Sequence, residues 1–234
     1  MCIRLLHSFR KDQSGAVLVE FAFIMPIFTM MGFTAIETAN LVNTNTAVSQ
    51  IAMTLADNLS RAKQDVGAGL SPQLREHDIN DALEGVRLQA KNADLFANGR
   101  VIITSLQRVP DAIPERQWIA WQRCRGVLQV ASEYGAEDQG RTGTVFPGIT
   151  SEGGTIIKAP DREAIIFVEV SYNYNPLVGS AFLPARTLRH KASFYVRDDR
   201  DLGTGVVAAN QNLNGMYNPI PQSKVRVCTQ FTAT

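Results

Sequence analysis

Glu20 is the one charged residue in an apolar run from Ala16 to Ile36, and it stands five positions after Gly15. A carboxylate near the centre of a membrane helix costs roughly 2.5–3.5 kcal/mol, and less toward its end, so such a group marks a functional position by default. It needs a proton, a partner charge or a place near the headgroups. No comparable constellation stands elsewhere. The three histidines are His7, His77 and His190. His7 lies before the apolar run, His77 lies among helix charges, and His190 alternates in a strand-like run that should turn it to solvent. No GxSxG elbow or similar nucleophile motif accompanies them, which argues against an enzyme. No CxxC or Cys/His spacing suggests a metal, and nothing calls for a cofactor. Asp198-Asp199-Arg200-Asp201 with Gly203 reads as a solvated strand end rather than a cation loop, and Gly203-Thr204-Gly205 as a loop rather than a nucleotide motif.

The elements that must position Glu20 are legible. Residues 16–36 span about 31 Å as a helix, the thickness of a bilayer's hydrocarbon core. Arg4, Arg10 and Lys11 precede the run against a single Asp12, and the first basic residue after it is Arg61. This asymmetry predicts a cytoplasmic N-terminus and an external domain. A cleaved secretory signal is the competing reading, with Thr34-Ala35-Ile36 or Glu37-Thr38-Ala39 imitating a cleavage site. The run is longer than the usual apolar region of such a signal. Pro26 predicts a mild bend. Beyond Glu37, Leu41, Val48 and Leu55 repeat at seven, with Ile51, Ala52 and Leu59 in the same stripe. That predicts an amphipathic continuation of the helix to about Arg61, with Gly67-Ala68-Gly69 ending it. The expected organisation is a basic leader (1–15), a transmembrane helix (16–36), its amphipathic continuation (37–66) and an outer domain (67–234).

Net charge is +1, from 23 basic and 22 acidic residues, so the chain shows no footprint for nucleic acid. Ser71-Pro72 predicts a helix start, with Leu74, Ile79, Leu83, Val86, Leu88 and Ala90 carrying the helix to about Ala93. Strands are expected at 100–108, 118–125, 163–174 and 188–197, alternating as the strands of a one-sided antiparallel meander do. A glycine-rich loop region, about 135–160, separates the second from the third. Lys224–Phe231 is a candidate edge strand. Trp118 and Trp121, three apart, should point to opposite faces. The fold class is α+β, with one long membrane helix, a further helix and about four antiparallel strands. If the apolar run spans a membrane, Cys124 and Cys228 share a compartment and Cys2 does not. They are a disulfide candidate, worth up to ~4.7 kcal/mol in the chain-entropy model; two free buried thiols are the alternative.

Ser14-Gly15-Ala16, Val19-Glu20-Phe21-Ala22, Pro26 and the second acidic residue Glu37 together resemble the TadE-like family, minor pseudopilins of tight-adherence (Tad/Flp) pilus systems. The resemblance covers about residues 9–62. Beyond residue 70 it is mostly architectural, although Trp121-Gln122-Arg123-Cys124-Arg125-Gly126 with the late Cys228 looks similar to longer members of the family. It implies a pilin-like subunit in the bacterial inner membrane, cytoplasmic at its N-terminus and periplasmic in its outer domain, that assists assembly of an adhesive pilus. A prepilin peptidase would cut after Gly15 and leave Ala16 as the new N-terminus. Glu20 could then pair with the Ala16 amine of a neighbouring subunit, removing two charges from lipid at once. Phe21, Pro26 and Glu37 would belong to the same assembly segment. The implied partners are membrane lipid, the peptidase, other pilins or pseudopilins and the assembly platform. The alternative is a single-pass envelope protein whose outer domain binds or scaffolds; a plain anchor would tolerate loss of Glu20.

Overall fold

A computed structural model describes residues 14–63, 71–90, 93–151, 153–180, 182–197, 199–203 and 212–234. Outside them lie residues 1–13 of the leader with Cys2 and His7, the Gly67-Ala68-Gly69 stop, Asp198, and Thr204-Gly205. The chain divides into two compact units. One holds the chain up to Asn43 together with Asn175–Ala185, and the other holds Thr44–Tyr174 with Arg186–Thr234. The fold class is α+β, with three helices among the described residues and a four-stranded antiparallel sheet.

Helix α1 runs from Ser14 to Arg61 without a break, through Pro26. Its last part belongs to the second unit. There Val48, Ile51, Ala52, Leu55, Ala56 and Leu59 are all buried, at spacings of three and four that fix one face. Strand β1 (Leu74–Arg75) precedes helix α2 (Glu76–Gln89). The expected helix start at Ser71-Pro72 is therefore corrected by about one turn. Leu74 and Arg75 pair in parallel with Met216 and Tyr217, and the Pro72 carbonyl accepts the Asp201 N–H at 2.8 Å, so this stretch is held extended. The helix begins where Asp78 reaches back to accept the Arg75 N–H at 2.9 Å. Ile79, Leu83 and Val86 are buried, whereas Leu88 is exposed. A short helix α3 (Leu95–Asn98) leads into the sheet.

The main sheet comprises β2 (Gly99–Arg108), β3 (Gln117–Arg125), β6 (Ala164–Tyr174) and β7 (Arg186–Tyr195). Short strands β4 (Ile149–Thr150) and β5 (Ile156–Ile157) pair with each other, and β8 (Asn212–Leu213) pairs with β9 (Met216–Tyr217). All pairings in the main sheet are antiparallel, in the order β3-β2-β6-β7. A meander would put β6 beside β3; here β6 lies beside β2. The long connection of residues 126–163 carries the chain back across the sheet and makes this possible.

That connection also corrects the expectation of a one-sided sheet. The register of Val101 with Arg125 and Val170, of Ile103 with Arg123, and of Val170 with His190 puts these residues on one face. Helix α2 meets this face where Glu76 accepts from Arg123 at 2.6 and 2.9 Å, both side chains fully buried. Burial works against the charge on Arg123, and its interactions with Glu76 and then Glu137 together more than offset that, leaving its pKa raised. Helix α1 meets the same face where Asn45 hydrogen-bonds His190 at 2.9 Å. The opposite face is covered by the connection. Ile149 and Ala159 pack on Leu106, Ile165 and Phe167. The Gln117 side chain donates to the Ala159 carbonyl and accepts its N–H, at 3.1 and 2.8 Å. Gln122 donates to Thr104 and to the Gly135 carbonyl. Two covered faces explain why β2 and β3 are buried almost throughout.

The register shifts between Ser105 and Leu106, so Trp121 opposes Ser105 while Trp118 opposes Gln107. Ser105 and Gln107 share a face, and a bulge thus brings both tryptophans to one side, where both are buried. Residues 224–231 form no strand. They follow β3 through bonds from the Cys124 N–H to the Arg226 carbonyl (2.8 Å) and from the Gly126 N–H to the Thr232 carbonyl (2.7 Å). Between these points the carbonyls of Cys228 and Gln230 accept from the buried Arg100 guanidinium at 2.6 and 3.2 Å, which takes them away from a ladder. Cys124 and Cys228 form a disulfide. At Gly126, φ is +125° and a Cβ would stand 2.2 Å from the Gly99 carbonyl oxygen, so only glycine lets the chain turn this close to β2.

Candidate functional site: the exposed helix and its loop

From Gly15 to Ile36 every residue of α1 is exposed. Phe21, Phe23, Phe28, Met30 and Met31 are each more than half accessible. In water such a surface is costly, at about 1.5–3 kcal/mol for each large apolar side chain left unburied. The helix is long and apolar enough to cross a membrane. Its polar groups are arranged for that use. Thr29, Thr34 and Thr38 each donate to the carbonyl four residues back, at 2.8 Å, so their hydroxyls need no water.

Gly15, Ala16, Glu20 and Phe21 occupy consecutive turns, all exposed. Ala16 and Glu20 are four apart and therefore share a face. Pro26 sits further along without interrupting the helix. Glu37 behaves differently from Glu20. It is fully buried, and its carboxylate accepts the Leu177 N–H at 3.2 Å and the Val178 N–H at 2.7 Å. Phe182 stacks edge-on against Phe33, with ring centroids 5.6 Å apart. Glu37 and Phe33, one turn apart, thus hold the β6–β7 loop against the end of the apolar run. Sequence reasoning grouped Glu37 with Glu20 and missed the loop. Its signal was there: Asn175–Ala185 contains no charged residue and is rich in Pro, Leu, Val and Phe, which is unusual for a hairpin connection.

The remaining candidates have structural partners. His77 is exposed beside Asp81, 3.3 Å away on the next turn. His190 is half-buried against α1 rather than turned to solvent, and burial lowers its pKa. Arg200 is buried and donates to the carbonyls of Leu59 and Ser60, while Asp201 accepts from the Tyr217 hydroxyl and from the Gly203 N–H. Among the described residues no group of three or more His, Cys, Asp or Glu could hold a metal ion.

An exposed membrane-length helix carrying a carboxylate one turn beyond a Gly-Ala pair, followed by an α+β domain, is the architecture of a single-pass anchored protein. Residues 15–57 match the family of TadE-like proteins, which suggests involvement in the Tad pilus system. No curated protein and no solved structure matches the chain.

Proposed function

We infer that this chain is a minor pseudopilin that takes part in assembly of a Tad-type adhesive pilus. It is held in the bacterial inner membrane by α1, with its α+β domain in the periplasm. The observation that carries this reading is the exposed Glu20, five residues after Gly15, within the segment matched to TadE-like proteins. Hydrolysis of the Gly15–Ala16 peptide bond by a prepilin peptidase leaves a carboxylate on the leader and an ammonium group on Ala16. That ammonium pairs with Glu20 of a neighbouring subunit and sets the stagger between two helices, each charge lowering the cost of holding the other in lipid. Phe21 and the apolar face beyond it pack against neighbouring pilins or the assembly platform. The Cys124–Cys228 disulfide supports the periplasmic placement, since such bonds persist in oxidising compartments.

The test is the mature N-terminus, read by mass spectrometry of membrane-extracted protein from cells with and without the prepilin peptidase. Ala16 as the N-terminus, dependent on the peptidase, is the expected result. An intact leader in both strains removes the processing step. Glu20→Ala is then expected to abolish pilus assembly while leaving membrane insertion intact; unimpaired assembly favours the plain anchored scaffold.

A further inference from the structure

We propose that the β6–β7 loop is a second membrane contact: residues 175–180 and 182–185 enter the bilayer interface at the level where α1 leaves the hydrocarbon. This rests on the reading of α1 as a membrane-spanning helix and adds to it a lipid site made by a loop distant in sequence. The loop and the apolar half of α1 belong to one compact unit. The loop is fastened at two points, Phe182 on Phe33 and the N–H groups of Leu177 and Val178 on Glu37. Both points lie within one turn of Ile36, where the apolar run ends. The loop therefore stands beside the helix at the rim of the hydrocarbon, and the surface it continues is the lipid-facing one.

Its chemistry fits that position. Asn175–Ala185 carries no charge, and Leu177, three residues after β6, is 71% exposed. An irregular loop is normally barred from lipid because its N–H groups lose their water. Here Glu37 supplies acceptors to two successive N–H groups near the start of the loop, leaving the Leu177 side chain to meet the acyl chains. Arg186, exposed and next in sequence, is suited to the headgroup layer. Interfacial amphipathic helices bury their apolar face about 5–10 Å into the headgroup/acyl boundary, and the loop stands in that same layer. The occupant is lipid, because the bilayer already surrounds the helix at this height.

The experiment uses the full chain with Cys2→Ser, reconstituted in vesicles of phosphatidylcholine and phosphatidylglycerol carrying bromines at shallow or deep acyl positions. An environment-sensitive fluorophore is attached at Leu177→Cys, at Phe21→Cys as the membrane-helix reference, or at the exposed Val145→Cys as the outer-domain reference. The expected result is strong quenching at 177 by shallow bromines, quenching at 21 by lipid bromines, and none at 145. An unquenched label at 177 with a quenched label at 21 overturns the loop contact and leaves the membrane helix standing. Labels unquenched at both positions overturn the two together. A label at 177 that is unquenched by bromines yet shielded from aqueous iodide indicates cover by the protein itself or by a second copy, and also overturns the proposal.

Discussion

Replacing Glu37 by alanine should loosen the β6–β7 loop. Its carboxylate accepts two backbone N–H groups, from Leu177 at 3.2 Å and Val178 at 2.7 Å, and it is fully buried. Hydrogen bonds to charged groups contribute about 1.5–3 kcal/mol each, so the pair is worth about 3–6 kcal/mol. The loop can open and rehydrate its N–H groups, which puts the effective loss near the lower figure. At 1.4 kcal/mol per tenfold change, amide exchange at 177 and 178 should accelerate about 100-fold. Glu37→Gln keeps one acceptor oxygen and should fall between the two, at about tenfold. The assay is hydrogen exchange on the full chain in nanodiscs, with Ile103 and Val168, at the centre of the sheet, as references whose protection stays the same. Unchanged exchange at 177 and 178 in Glu37→Ala would refute the anchoring role. Equal losses at 103 and 168 would show that Glu37 supports the whole fold.

Two further perturbations test the outer domain. Cys228→Ser removes a bridge with a sequence separation of 104, and should lower stability by up to about 4.7 kcal/mol in the chain-entropy model; chemical denaturation with and without reductant should bring the wild type down to the variant, which itself should not respond. Glu169 is buried under Ser132 and the Glu133 N–H, and burial outweighs these two bonds to raise its pKa. The folded state therefore holds the Glu169 proton more tightly than the unfolded state. Its favourable contribution is full below the ordinary carboxylate range and is lost as pH rises through the raised value. Glu169→Gln should accordingly gain stability relative to wild type as pH rises above the ordinary carboxylate range, read by denaturation below that range and at neutral pH; a difference that does not change with pH contradicts this.

Local pattern determined what depends on neighbours along the chain. Apolar length alone marked residues 16–36 as long and apolar enough to cross a membrane, and the stripe through Val48, Leu55 and Leu59 fixed the buried face of α1, because helical periodicity is a property of the chain itself. Alternation located the four main strands within one or two residues. The long-range arrangement was decided by tertiary structure. The order β3-β2-β6-β7 depends on how far a 38-residue connection travels before β6 pairs, and no local pattern encodes that distance. The bulge that turns Trp118 to the side of Trp121 arises from the register with β2. The failure of residues 224–231 to form a strand follows from Arg100 capturing their carbonyls. Glu20 and Glu37 illustrate the divide most directly. In sequence they are two acidic residues flanking one apolar run. In the fold one is exposed, and the other is enclosed by a loop about 140 residues away, because a buried carboxylate must find donors and a distant segment supplies two of them.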